Sequence, residues 1–175
     1  MRTHIAIACL LSAGIHDPCL GVETDRPGPL HVLVIDGFSN HDWRATTRSI
    51  LSILAAEEDV VAEVSTVPED KTAWRTWVPP FDRYDVVIQT TNDIGNRRRA
   101  WPAAAQRALE TYMARGGGML VFHAANNAFP DWGEYNRMIG LGWRSKDFGP
   151  AIVIEGGEPV RVPAGQGGNT GHGPR

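Results

Sequence analysis

Leu30-His31-Val32-Leu33-Val34-Ile35 (LHVLVI) is an almost continuous run of β-branched and aliphatic residues, and its reading decides the fold. A strand with one wet face alternates apolar and polar residues, whereas an unbroken apolar run marks a strand buried on both faces, as in a parallel sheet. A polar loop follows, Asp36-Gly37-Phe38-Ser39-Asn40-His41-Asp42, and then Ile50, Leu51 and Leu54 recur at helical spacing. Asn40 or Asp42 is available to cap the free amides at the start of that helix. Strand, polar loop and helix make one α/β unit.

Outward from this stretch the unit recurs. Val60 to Val64 reads as a short strand and Asp85-Val86-Val87-Ile88-Gln89 as another. Ala105, Leu109, Tyr112 and Met113 then mark one face of a helix, which Pro102 suits at its first turn and Gly116-Gly117-Gly118 ends. Met119-Leu120-Val121-Phe122 reads as a fourth buried strand that delivers His123 at its carboxyl end. Strands alternating with helices in this way imply an α/β fold with a doubly wound, mostly parallel sheet, in which ligands bind beyond the carboxyl ends of the strands. Thr90, Thr91 and Asn92 follow the third strand, and His123 to Asn127 follow the fourth. Ala151 to Ile154 and Val160 to Val162 flank Glu155-Gly156-Gly157-Glu158-Pro159 and read as an appended hairpin. Gly165 to Gly173 is a glycine-rich loop that reaches no further element before Arg175.

The bulk numbers suit one domain: 175 residues with 42% hydrophobic content can bury a sizeable core once. A formal charge of −3 gives no broad basic field, which argues against nucleic acid as a partner. The dense basic run Arg97-Arg98-Arg99 reads as a solvated loop. Residues 1–21 have the layout of an export signal, with Arg2 and His4 ahead of the apolar run Ile5 to Leu11, so the protein is expected to be periplasmic or secreted. That run is too short to span a bilayer. Residues 22–29 form a linker and residues 30–175 the domain. Both cysteines, Cys9 and Cys19, fall in the leader, which leaves the domain without a disulfide or a thiol nucleophile.

His123 is the sharpest chemical candidate, because the carboxyl end of a strand is where α/β enzymes place a reactive group. Its ring is suited to act as general base, hydrogen-bond donor or metal ligand. His41 follows the first strand and His172 lies in the last glycine-rich loop, so three imidazoles are candidates to converge on one cleft, a set that would suit zinc. Trp43, Trp132 and Trp143 stand beside Asp42, Asp131 and Arg144, and an indole face flanked by polar groups suits a sugar ring. The loop after the first strand is neither G-x-G-x-x-G nor a G-K-[ST] phosphate loop, and no serine occupies a G-x-S-x-G elbow.

Five stretches carry a resemblance to a known family: Gly37 to Thr47 (GFSNHDWRATT), Tyr84 to Asn92 (YDVVIQTTN), Gly116 to Ala125 (GGGMLVFHAA), Phe129 to Arg144 (FPDWGEYNRMIGLGWR) and Gly171-His172-Gly173. In these the chain resembles ThuA-like (trehalose-utilisation) domains of the class I glutamine amidotransferase-like fold, a flavodoxin-like three-layer arrangement. Related amidotransferases carry a nucleophilic cysteine at the elbow where this sequence has His123, so the resemblance does not imply glutamine hydrolysis. It implies a role in carbohydrate metabolism on a disaccharide or keto-sugar. The family pattern continues beyond the last motif, so the domain is expected to be incomplete at its C-terminus.

Two functions follow as expectations. One is an exported sugar-processing enzyme, a hydrolase, lyase or isomerase, with His123 as general base or metal ligand assisted by His41 and His172. In it Asn40, Asp42, Trp43, Asn92, Trp132, Tyr135, Asn136, Trp143 and Arg144 contact the small-molecule carbohydrate. The other is a non-catalytic carbohydrate-binding module using the same tryptophans and polar loops.

Overall fold

A computed structural model describes residues 28–94, 100–145 and 147–167. The expected leader, the Arg97-Arg98-Arg99 run and His172 lie outside the described residues. The elements run β1 (Leu30–Asp36), α1 (Trp43–Leu54), β2 (Val60–Thr66), α2 (Lys71–Thr76), β3 (Val86–Gln89), α3 (Ala103–Ala114), β4 (Gly118–Val121), α4 (Gly133–Ile139), β5 (Ala151–Glu155) and β6 (Glu158–Val162). Strands β1 to β4 form one parallel sheet in the order β2-β1-β3-β4. The chain winds outward from β1 to β2 on one side and from β3 to β4 on the other. The strand order therefore reverses between β1 and β3, and the crevice at that point is where ligands of such sheets bind.

Each face of the sheet has its own core. Val32, Val34 and Ile88 point to one face, where Ile50 of α1 packs with Leu51 and Leu54 beside it. Asp42 caps α1 by accepting the Ala45 N–H at 3.0 Å. Leu33, Ile35 and Val87 point to the other face and meet Trp101, Ala105, Leu109, Tyr112, Trp132 and Tyr135. That face is largely aromatic, with Trp101 stacked on Phe81 and Tyr135 on Trp132. Pro102 stands just ahead of α3 rather than within its first turn. After α3 the Tyr112 ring occupies the space a Cβ on Gly117 would need, only 2.3 Å away, so glycine is required there.

Two further expectations change. β4 is not buried on both faces: Leu120 is 46% exposed and Phe122, just past its end, is 39% exposed. The reason is reach. On that face α1 packs against β1 and β2, and β4 is an edge strand of the described sheet. The hairpin is tighter than expected, since β5 and β6 pair out to Glu155 and Glu158 and leave a two-residue turn. Gly156 and Gly157 both have positive φ, the requirement of the turn type that matches strand twist.

Candidate functional site

The loop after β1 is fixed from both sides. Gly37 adopts φ +122, and a Cβ there would lie 2.8 Å from the Val67 carbonyl oxygen, so the chain turns closely past Val67 before burying Phe38. Ser39 comes next, and its hydroxyl oxygen accepts the Asn92 side-chain amide at 2.7 Å and the His41 backbone N–H at 3.2 Å. Asn92, buried past β3, also donates its backbone N–H to the Phe38 carbonyl at 3.2 Å. The loops after the two central strands are thereby laced together, and His41 is held at their junction. Behind them Asp36, 2% exposed, accepts the Thr47 hydroxyl at 2.7 Å, which ties the start of α1 to the end of β1.

His123 enters from β4 by a different device. Its φ is +48, a left-handed backbone that a residue with a Cβ adopts only at some energetic cost, about 1 kcal/mol or more. A short turn from His123 to Asn127 follows. A buried polar network braces that turn: the Tyr135 hydroxyl donates to the Ala125 carbonyl at 2.8 Å and accepts from the Gln89 amide at 3.1 Å. Gln89 in turn accepts from Thr91, whose hydroxyl accepts the Trp101 indole N–H. Burial pushes the Tyr135 hydroxyl well above its ordinary pKa, so it remains a neutral donor at physiological pH.

These two devices bring the His41 and His123 rings to a centroid separation of 4.9 Å at a tilt of 41°. Ser39, Trp43, Thr46, Thr90, Phe122 and Ala124 complete the shallow depression around them. The Arg44 guanidinium lies 4.1 Å above the Trp43 ring. A larger hollow of about 640 Å³ sits at the opposite, amino ends of β3 and β4, between the Val78 to Asp82 segment and the end of α3. The imidazoles are at the switch point and that hollow is not, so we place the candidate site with the imidazoles.

The other residues singled out from the sequence separate into groups. Asn40 and Asp42 are exposed on the same loop as His41. Trp132 and Tyr135 are 7% and 0% exposed and belong to the aromatic core, with the Trp132 indole donating to Glu110 at 2.7 Å. Their spacing, 132, 135, 138 and 139, is a helical core pattern, and this helix, α4, is one that the sequence reading missed, as it missed the short α2. Asn136 donates to the carbonyls of Phe129, Pro130 and Trp132, and its side-chain oxygen accepts two Arg144 bonds at 3.0 and 2.6 Å. Arg144 also donates to the carbonyls of Asn126 and Ala128 at 2.8 and 2.9 Å, clamping the segment after His123 onto α4. Trp143 is half-exposed and lines a separate hollow with Phe148 and Ile152. Thr90, expected past the third strand, lines the depression; Ser39 and Thr46 line it too and were not singled out, because isolated hydroxyls carry no spacing signal.

Zinc held by protein nitrogen would need three such ligands or their equivalent. Among the described residues, no group of three or more His, Cys, Asp or Glu side chains is placed to hold a metal ion, and His41 and His123 alone do not make the set. No described helix is long and apolar enough to cross a membrane.

The family model for trehalose utilisation (ThuA) matches residues 31–164. Among solved structures, a ThuA-like protein from Parabacteroides merdae superposes with a TM-score of 0.67 at 29% identity, over 76% of this chain and 47% of its own. The chain therefore spans about half the length of that relative. No functionally curated protein matches the chain. With a parallel sheet of order β2-β1-β3-β4, a histidine elbow after β4 and a family match over most of its length, the chain belongs to the ThuA trehalose-utilisation family.

Proposed function

We propose that the protein processes a disaccharide or keto-sugar at the His41–His123 depression, with His123 as general base. One observation carries this reading: two imidazoles from distant parts of the chain meet at 4.9 Å at the switch point, one of them on a strained elbow. Strain at a position with a Cβ persists where the surrounding structure over-determines it, and such positions cluster at functional sites. A base beside a bound keto-sugar would take the proton from the carbon next to the carbonyl. The electron pair then moves onto the carbonyl oxygen as an enolate, and return of the proton to a neighbouring carbon or loss of a β-substituent completes an isomerisation or an elimination. Trp43 offers an indole face for the apolar side of the ring.

The second reading, a carbohydrate-binding module, is favoured by the shallowness of the depression, which buries little of a sugar. His123→Ala separates the two. Loss of turnover of trehalose or a 3-keto-disaccharide, with binding retained, supports the enzyme. Weakened binding with no turnover in either protein leaves the module.

A further inference from the structure

The hydroxyls around the two imidazoles are not interchangeable, and their hydrogen-bond directions can be read from their partners. A hydroxyl has two acceptor lone pairs and one hydrogen. The Ser39 oxygen accepts the Asn92 amide at 2.7 Å and the His41 backbone N–H at 3.2 Å. The Asn92 amide is oriented unambiguously, because its oxygen accepts the Ile94 backbone N–H at 3.2 Å and so leaves the nitrogen toward Ser39. Both Ser39 lone pairs are thus occupied. Its hydrogen has no acceptor among the described residues, and the side chain lines the depression. Thr90 and Thr46 are the reverse case. Thr90 donates to the Ile35 carbonyl at 2.8 Å and Thr46 to the Asp42 carbonyl at 3.1 Å, so each presents only acceptor capacity to the same depression.

We infer that Ser39 is a ligand-binding donor whose O–H is directed at a ligand oxygen carrying no hydrogen, while Thr46 and Thr90 accept from ligand hydroxyls. With its lone pairs engaged, Ser39 is a poor nucleophile and a fixed donor. The matching ligand is a hydroxy-ketone, with the carbonyl oxygen at Ser39 and hydroxyls at the threonines. In that position the same O–H strengthens its bond as negative charge gathers on the carbonyl oxygen. The hydroxy-ketone assignment rests on the carbohydrate reading above; the direction of the Ser39 donor does not.

The test uses the full chain as wild type, Ser39→Ala and Ser39→Thr, with thermal unfolding as a check on folding. Calorimetry compares 3-ketotrehalose with trehalose, which differ at one carbon. Ser39→Ala is expected to weaken the keto-sugar by about 3- to 10-fold, the worth of one neutral hydrogen bond, and trehalose much less, with Ser39→Thr restoring the difference. Equal weakening of both sugars, or an unchanged preference, overturns the inference, since a residue that merely held His41 in place would affect both alike. A second titration uses sodium acetate, whose oxygens carry no hydrogen at neutral pH, followed by the imidazole resonances of His41 and His123. Binding at least about threefold weaker in Ser39→Ala than in wild type and Ser39→Thr supports the donor. Acetate that acts equally on all three proteins, or on none, overturns it. If neither sugar binds the wild type, the carbohydrate reading fails and the acetate arm still decides Ser39.

Discussion

Replacing Tyr135 by Phe should destabilise the protein without touching any ligand, and the size of the loss follows from the atoms it leaves behind. The side chain is 0% exposed, and phenylalanine fills nearly the same volume, so no cavity term enters. One buried donor loses its partner, the Gln89 amide hydrogen that donates to the hydroxyl at 3.1 Å, and the Ala125 carbonyl loses one of two bonds, giving up the hydroxyl at 2.8 Å while keeping the Ala128 N–H at 3.1 Å. The other Gln89 hydrogen retains the Thr91 carbonyl at 2.9 Å. An orphaned buried donor costs about 1–3 kcal/mol and the carbonyl's second bond is worth about 0.5–1.5 kcal/mol, so the lower parts of both ranges give about 1.5–3 kcal/mol. With a urea slope of about 2 kcal/mol/M, the unfolding midpoint should fall by about 0.7–1.5 M at unchanged slope. Urea titration followed by tryptophan fluorescence measures it. A loss below about 0.5 kcal/mol, or sugar binding that weakens while stability holds, would refute the structural role and return Tyr135 to the ligand.

Two further outcomes follow. Tyr135 and Tyr112 both have hydroxyl pKa values raised first of all by burial, so in the alkaline range the folded state holds protons that the unfolded state has released. Their contribution is fully present below the ordinary tyrosine pKa of 10.0 and is lost as pH rises through the folded values; stability measured from pH 9 to 11 should fall above about 10, less steeply in Tyr135→Phe. For zinc, elemental analysis of the purified full chain decides whether the imidazoles form a metal site: about one equivalent retained by wild type and lost in His123→Ala establishes it, and a metal-free wild type removes it.

The parallel sheet was legible because Leu30 to Ile35 and the glycines at 116–118 report on backbone and burial directly, without reference to distant residues. The same is true of His123, whose place follows from the strand before it. What the sequence concealed depends on which partner a group finds in space. Trp132 and Tyr135 look like ligand platforms when read beside Asp131 and Asn136, yet three-residue spacing turns both into the core on α4. Arg144 has the chemistry of a sugar ligand, but five of its bonds go to Asn136 and to carbonyls of Asn126, Ala128 and Trp143. Ser39 was passed over for the opposite reason: its role lies in the direction of one hydrogen, which only its two neighbours determine.

The backbone at His123 carries one more consequence. Its left-handed conformation burdens residues branched at Cβ most, and depends much less on what an unbranched side chain carries further out. The elbow is therefore a socket that takes unbranched side chains of quite different chemistry. Where the side chain stands is settled by β4 and the turn braced beneath it; what that side chain is can change by a single codon. A thiol in related amidotransferases and an imidazole here can thus occupy one scaffold without repacking its core.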